Sequence, residues 1–129
     1  MRLIKNGQVL IDNRLEKKDI LIDEGKIIQI GDSILKDCDT VDATGLTVIP
    51  GLVDVHVHFR EPGHSEKETI HTGSLAAAHG GFTSVFAMPN VIPFPDDVDT
   101  MKAYQQLIKK ESVVHTYPYA CLTLEEACK

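Results

Sequence analysis

Short apolar runs separated by turn residues fill the first fifty positions, and longer blocks follow. Leu3-Ile4 and Val9-Leu10-Ile11 flank Asn6-Gly7, which predicts a hairpin because both central residues tolerate positive φ. Ile20-Leu21-Ile22 and Ile27-Ile28-Gln29-Ile30 flank Asp23-Glu24-Gly25-Lys26 and predict a second hairpin. Val41-Asp42-Ala43 and Leu46-Thr47-Val48-Ile49 lie on either side of Thr44-Gly45. Residues 1–50 therefore read as a small β-module whose few strands bury little surface alone and leave edges unpaired.

Pro50-Gly51 punctuates the chain, and the period of the pattern changes after it. Leu52 to His58 reads as a strand. Ser65-Glu66-Lys67-Glu68 reads as a capping box that opens a helix running to about His79, small on one face (Gly73, Ala76, Ala77) and stopped by Gly80-Gly81. Thr83 to Ala87 is the next strand, ended by Met88-Pro89-Asn90. A second helix is predicted from about Asp97 to Lys110, with Val98, Met101, Tyr104, Leu107 and Ile108 as its apolar stripe. Val113 to Tyr117 is a third strand, and Thr123-Leu124-Glu125-Glu126 is another capping box. Such alternation predicts parallel βαβ units, here three strands of a larger sheet or barrel. A (β/α)₈ barrel needs about 200 residues or more, so residues 51–129 are expected to be the first part of one and the chain the N-terminal portion of a longer protein.

The chain has 129 residues, 43% apolar and 25% charged, which fits a globular protein rather than a disordered one. Its net charge of −6 argues against a nucleic-acid binder, which needs concentrated positive charge. No apolar run reaches the length of a membrane helix, and the charged start Met1-Arg2-Leu3-Ile4-Lys5 is not that of a signal peptide. Cys38, Cys121 and Cys128 are odd in number and lack Cys-x-x-Cys spacing. They read as incidental thiols in a reducing cytoplasm.

The sharpest chemical feature is Asp54-Val55-His56-Val57-His58-Phe59-Arg60-Glu61-Pro62-Gly63. Strand alternation places Asp54, His56 and His58 on one face and Val55, Val57 and Phe59 on the other. Two imidazoles at i and i+2 suit one cation, zinc by ligand preference, with manganese, cobalt or iron as alternatives. Asp54 is placed to orient a ligand histidine. The pair ends a strand, where α/β-barrel enzymes put their active sites. Arg60 follows at the mouth and suits bidentate capture of a carboxylate, or else a surface pair with Glu61 or Glu66. Asn90 ends the next strand at the same rim, either as a substrate ligand or as a turn residue. His64, His71, His79 and His115 read as structural, Glu66 and Glu68 as capping residues, and Lys109-Lys110 as partners of the helix dipole. No glycine-rich phosphate loop is present, because Gly80-Gly81 precedes a strand.

The stretch from Pro50 to Gly63 resembles the first-strand signature of the dihydroorotase family of the amidohydrolase superfamily. Lys67-Glu68-Thr69 through Gly80-Gly81-Phe82-Thr83, and Met88-Pro89-Asn90, resemble the same family in the same order. The resemblance implies a metal-dependent (β/α)₈ barrel beside a β-sandwich, incomplete here in both parts. It implies interconversion of N-carbamoyl-L-aspartate and L-dihydroorotate in pyrimidine (UMP) biosynthesis. By that analogy His56 and His58 are ligands of one or two zinc ions. Arg60 and Asn90 hold the substrate carboxylate, with the backbone near His58 in the same pocket. The expected partners are the small-molecule substrate, a second subunit in a homodimer and aspartate carbamoyltransferase, with neither nucleic acid nor membrane.

The family pattern usually continues Met-Pro-Asn-Thr, whereas Val91 follows Asn90 here, which removes a hydroxyl expected beside the pocket. The family's bridging acidic group, two further histidines and catalytic aspartate are expected beyond Lys129, so the 129-residue chain alone is expected to be inactive. The competing readings are a hydantoinase (dihydropyrimidinase) or allantoinase, against which Arg60 argues, and a non-catalytic remnant that binds a pyrimidine-pathway partner.

Overall fold

The computed structural model describes residues 1–124. The capping box expected at Thr123-Leu124-Glu125-Glu126 runs past that limit, and Cys128 lies outside the described residues. The chain divides into two compact units, at Pro50 and Gly51. No helix among the described residues is long and apolar enough to cross a membrane.

The first unit is one sheet of five strands, and a β-sandwich is not formed by these residues. Strands β1 (Arg2–Ile11), β2 (Arg14–Asp23), β3 (Lys26–Gly31) and β4 (Asp39–Asp42) lie in the order β3-β2-β1-β4, and β5 (Thr47–Val48) also pairs with β1. The second predicted hairpin is present, turning at Glu24 (φ 46°) and Gly25 (φ 75°). The first is displaced. The chain runs straight through Asn6-Gly7 and turns instead at Asp12-Asn13, both with positive φ.

Asn6 does adopt the left-handed conformation (φ 63°), but as a bulge: Lys5 and Asn6 together stand opposite Asp19. The reason is local. The Asn6 N–H, which has left the ladder, donates to the Asp19 carboxylate at 2.9 Å, and the Ile34 N–H donates to its other oxygen at 2.9 Å. The segments around Thr44-Gly45 do not pair with each other. Both run parallel to β1, one after the other along its edge. Leu3, Leu21 and Ile34 form the core, with Cys38 packed against it.

The second unit has the predicted βαβαβ order: β6 (Leu52–Val57), α1 (Ile70–His79), β7 (Phe82–Ala87), α2 (Val98–Glu111) and β8 (His115–Pro118). The three strands are parallel in the order β6-β7-β8. No barrel closes within this chain, since three strands supply less than half of the eight that closure needs. Phe59, Ile70, Val85, Ala87, Val91, Tyr104 and Ile108 form the core. Of the stripe predicted on α2, Tyr104 and Ile108 are buried, while Val98 in the first turn is exposed.

Helix α1 begins five residues later than its sequence signal. Ser65 donates to Glu61 across a turn instead of capping a helix. Thr69 is the N-cap, in a reciprocal box with Thr72. The small face of the helix has a clear use. A Cβ at Gly73 would lie 2.5 Å from the Phe59 ring, so only glycine lets α1 settle onto the residue between His58 and Arg60.

Candidate metal and substrate site

Strand β6 carries the histidine pair to the C-terminal edge of the parallel sheet. Its pairing with β7 is irregular. Asp54 pairs with Val85 and Val57 with Ala87, which leaves Val55 and His56 together opposite Phe86. The extra residue resets the alternation. Asp54 falls on the side of Val85 and lines a concavity with Gly73, Ala76 and Ala77 of α1. The bulge shifts the register between Asp54 and His56, while Asp54 and His58 line the same concavity. The Asp54 carboxylate accepts the backbone N–H of His56 at 3.0 Å, so its hold is on the strand at that residue. From the far side of the sheet, the Tyr119 hydroxyl donates to the Val55 carbonyl at 3.3 Å.

His56 and His58 converge. Their Nε2 atoms are 3.2 Å apart, with the rings edge to face. The Asn90 side chain reaches His58 Nδ1 at 2.8 Å through its Oδ1, an acceptor. His58 Nδ1 is thus the protonated nitrogen, and Nε2 keeps its lone pair toward His56. Two nitrogens bound at about 2.0–2.1 Å to one tetrahedral ion stand about 3.3 Å apart. The observed separation fits a shared divalent cation. Among the described residues no cluster of three or more histidine, cysteine, aspartate or glutamate side chains surrounds the pair, so these two supply half a tetrahedral set.

Arg60 follows with φ 65°, in the left-handed region that non-glycine residues seldom enter. Its surroundings hold it there. Its carbonyl accepts the His64 N–H at 2.9 Å, and the Ile92 N–H donates to the Pro62 carbonyl at 2.9 Å. Gly63 (φ 98°) packs so closely that a Cβ there would lie 2.6 Å from Ile92. The loop after β6 is thereby joined to the loop after β7 that carries Asn90.

The pairing of Arg60 with Glu61 or Glu66 is not seen. Glu66 lies 3.6 Å from His64, and Glu61 is occupied by Ser65 Oγ at 3.3 Å and by the Ile70 N–H at 2.8 Å. Among the described residues the Arg60 guanidinium has no hydrogen-bond or ion-pair partner.

The remaining histidines stay apart from the pair. His71 Nδ1 meets the Glu111 carbonyl, His79 ends α1, and His115 stands opposite Ser84 on β8. Val91 is fully buried in the core with Phe59 and Ile70, so its side chain is not at the pocket. The largest concavity of this unit, lined by Gly81, Thr83, Ser112 and Val113, lies at the opposite end of the strands from the histidines.

The sequence offers Glu61 only as a surface partner of Arg60 and gives no signal for Tyr119. Each acts over a distance no short motif records, nine residues for Glu61 to Ile70 and 64 for Tyr119 to Val55. Tyr104 was read only as part of the stripe. Its hydroxyl is buried and unpartnered among the described residues. Burial, and then the charge of Glu61, push its phenol up to about 12.

Residues 45–129 match the family described as Dihydro-orotase-like. The chain belongs to this family. Over 96% of its length it is 52% identical to the dihydroorotase of Lactobacillus helveticus, and over all of it 50% identical to that of Staphylococcus aureus. It spans 29% and 31% of those two proteins, under a third of their length. In structure it is similar to the L-hydantoinase (dihydropyrimidinase) of Arthrobacter aurescens, with a TM-score of 0.84 and 26% identity over 92% of this chain and 27% of that one. It is also similar to the D-hydantoinase (dihydropyrimidinase) of a Thermus species, with a TM-score of 0.75 and 31% identity over 93% of this chain and 27% of that one. The dihydro-orotase-like family thus accounts for the stretch that carries His56, His58, Arg60 and Asn90.

Proposed function

We propose that this chain is the N-terminal part of a dihydroorotase, a cyclic amidohydrolase that interconverts L-dihydroorotate and N-carbamoyl-L-aspartate. The observation that carries the reading is the pair of His56 and His58 Nε2 atoms 3.2 Å apart beside an unpaired arginine. In this reading His56 and His58 hold a divalent cation, zinc by the chemistry of the donors. When bound, such a cation polarises an amide carbonyl and makes water a better nucleophile at neutral pH.

The residues of this chain bind and orient. Arg60 takes the substrate carboxylate through two parallel N–H donors, which fixes the ring relative to the histidines. Asn90 holds the tautomer of His58 through Oδ1, and its Nδ2 remains as a donor to a substrate oxygen. Asp54 steadies the strand at His56 through the backbone. In this reading the further ligands and the proton-transferring carboxylate come from the part of a dihydroorotase that this chain does not span, and the expected partners are a second subunit and aspartate carbamoyltransferase.

Dihydroorotate carries a carboxylate that a simple hydantoin ring lacks. That favours this substrate over the hydantoinase alternative, because the half-buried, unpaired guanidinium of Arg60 is matched by a carboxylate and not by a neutral ring. The test is turnover of dihydroorotate, carbamoyl-aspartate, hydantoin and allantoin by the longest product of the gene. Turnover of the first two is expected, with KM for dihydroorotate strongly raised but still measurable in Arg60→Ala. A preference for hydantoin or allantoin that survives Arg60→Ala overturns the assignment.

A further inference from the structure

Arg60 has a left-handed backbone and an unpaired guanidinium among the described residues, so its conformation must be held by its surroundings. The residue next to it is the strongest tie in the loop. The Glu61 carboxylate spans the turn, accepting the Ile70 N–H of the first turn of α1 at 2.8 Å with one oxygen and the Ser65 hydroxyl at 3.3 Å with the other. Ser65 lies within the 62–69 segment and Ile70 just beyond it. A negative charge at a helix N-terminus is well placed, because it meets an N–H that has no intrahelical acceptor. Helix α1 is itself fixed, with Ile70 fully buried and Gly73 against Phe59. Glu61, the residue adjoining Arg60, therefore ties the left-handed residue to a rigid element that begins nine residues further on.

We infer that Glu61 is the positioning residue for Arg60: its grip on the N-terminus of α1 holds the left-handed turn that points the guanidinium at the substrate carboxylate. The inference rests on the dihydroorotase reading and extends it to substrate recognition. Strain kept at a binding residue needs an over-determined surrounding. Here the ties are Glu61 on α1, the His64 N–H on the Arg60 carbonyl, and Gly63 on Ile92. Of these three, Glu61 is the one whose side chain can be changed without touching the backbone contact of the loop.

The experiment is a double-mutant cycle in the longest product of the gene, with dihydroorotate as substrate. Glu61→Ala is expected to raise KM about tenfold, since a misplaced positioning group weakens binding by that order. Bound metal is expected to stay the same and kcat to change far less than KM. In Arg60→Ala the further change Glu61→Ala is expected to have no added effect on KM, because the group it positions is gone. Glu61→Gln keeps one acceptor oxygen and is expected to fall between wild type and Glu61→Ala, which also covers the case in which Glu61→Ala does not fold.

If Glu61 merely caps α1, its loss lowers the melting temperature, leaves KM unchanged and adds independently to Arg60→Ala. That result overturns the inference while the enzyme reading stands. Absence of dihydroorotate turnover in the unsubstituted protein overturns both.

Discussion

At the residue scale the account turns on which atom each side chain meets. Asn90 is the clearest case. Its Oδ1 fixes the proton of His58 on Nδ1 and frees Nε2 toward His56. Loss of such an outer partner typically weakens metal binding about 10–100-fold. Asn90→Ala is therefore expected to release metal to a chelator at correspondingly lower concentration, measured by competition titration. A raised KM with unchanged metal affinity would show that Asn90 serves the substrate alone. Val91 makes the opposite point. It is fully buried among apolar side chains, so Val91→Thr puts a hydroxyl into the core and is expected to cost about 1–3 kcal/mol in chemical denaturation. The pocket should not respond. The convergence of His56 and His58, with an arginine following, was legible in the sequence because His-x-His and a following Arg are local. The register shift between Asp54 and His56 was not, because a bulge depends on the neighbouring strand.

At the element scale, turn chemistry was right in kind and wrong in place. Asn6-Gly7 has the residues of a tight hairpin, and Asn6 has the positive φ they predict, yet the strand continues. The Asp19 carboxylate makes this affordable by receiving the N–H groups of Asn6 and Ile34. Asp19 is buried, and burial alone would raise its pKa. The two backbone donors, with the charges of Lys5 and Lys17, outweigh that and hold it below the ordinary value of 3.8. A carboxyl with a lowered folded-state pKa stabilises the fold above its unfolded pKa. That contribution is lost as pH falls through the folded value. Amide exchange at Asn6 and Ile34 is accordingly expected to accelerate as pH drops below about 4 relative to other β1 and β2 amides. Asp19→Asn should remove that extra pH dependence, and an unchanged profile in the variant would refute the assignment. The start of α1 was misplaced for a similar reason. Ser65 carries the capping sequence, yet Thr69 is the N-cap, and the distant carboxylate of Glu61 accepts the Ile70 N–H just after it.

At the scale of the whole molecule, the βαβαβ order was legible because helical and strand periods differ over many residues. Which strands close the sheet was not, because closure requires strands that three βα units do not contain. Val53, Val55, Tyr117 and Tyr119 of the second unit, and Ile27, Ile28 and Ile30 of the first, are exposed large apolar residues. Exposed apolar side chains of this size favour association. The 129-residue chain alone is expected to bind hydrophobic dyes and to melt broadly, and a sharp cooperative melt as a monomer would contradict this. The most direct test of the central claim is metal content and dihydroorotate turnover measured together on the longest product of the gene and on its His56→Ala variant. The account predicts bound divalent metal and turnover in the first, and loss of both in the second. Turnover and metal content that survive His56→Ala, or neither in the unsubstituted protein, would contradict it.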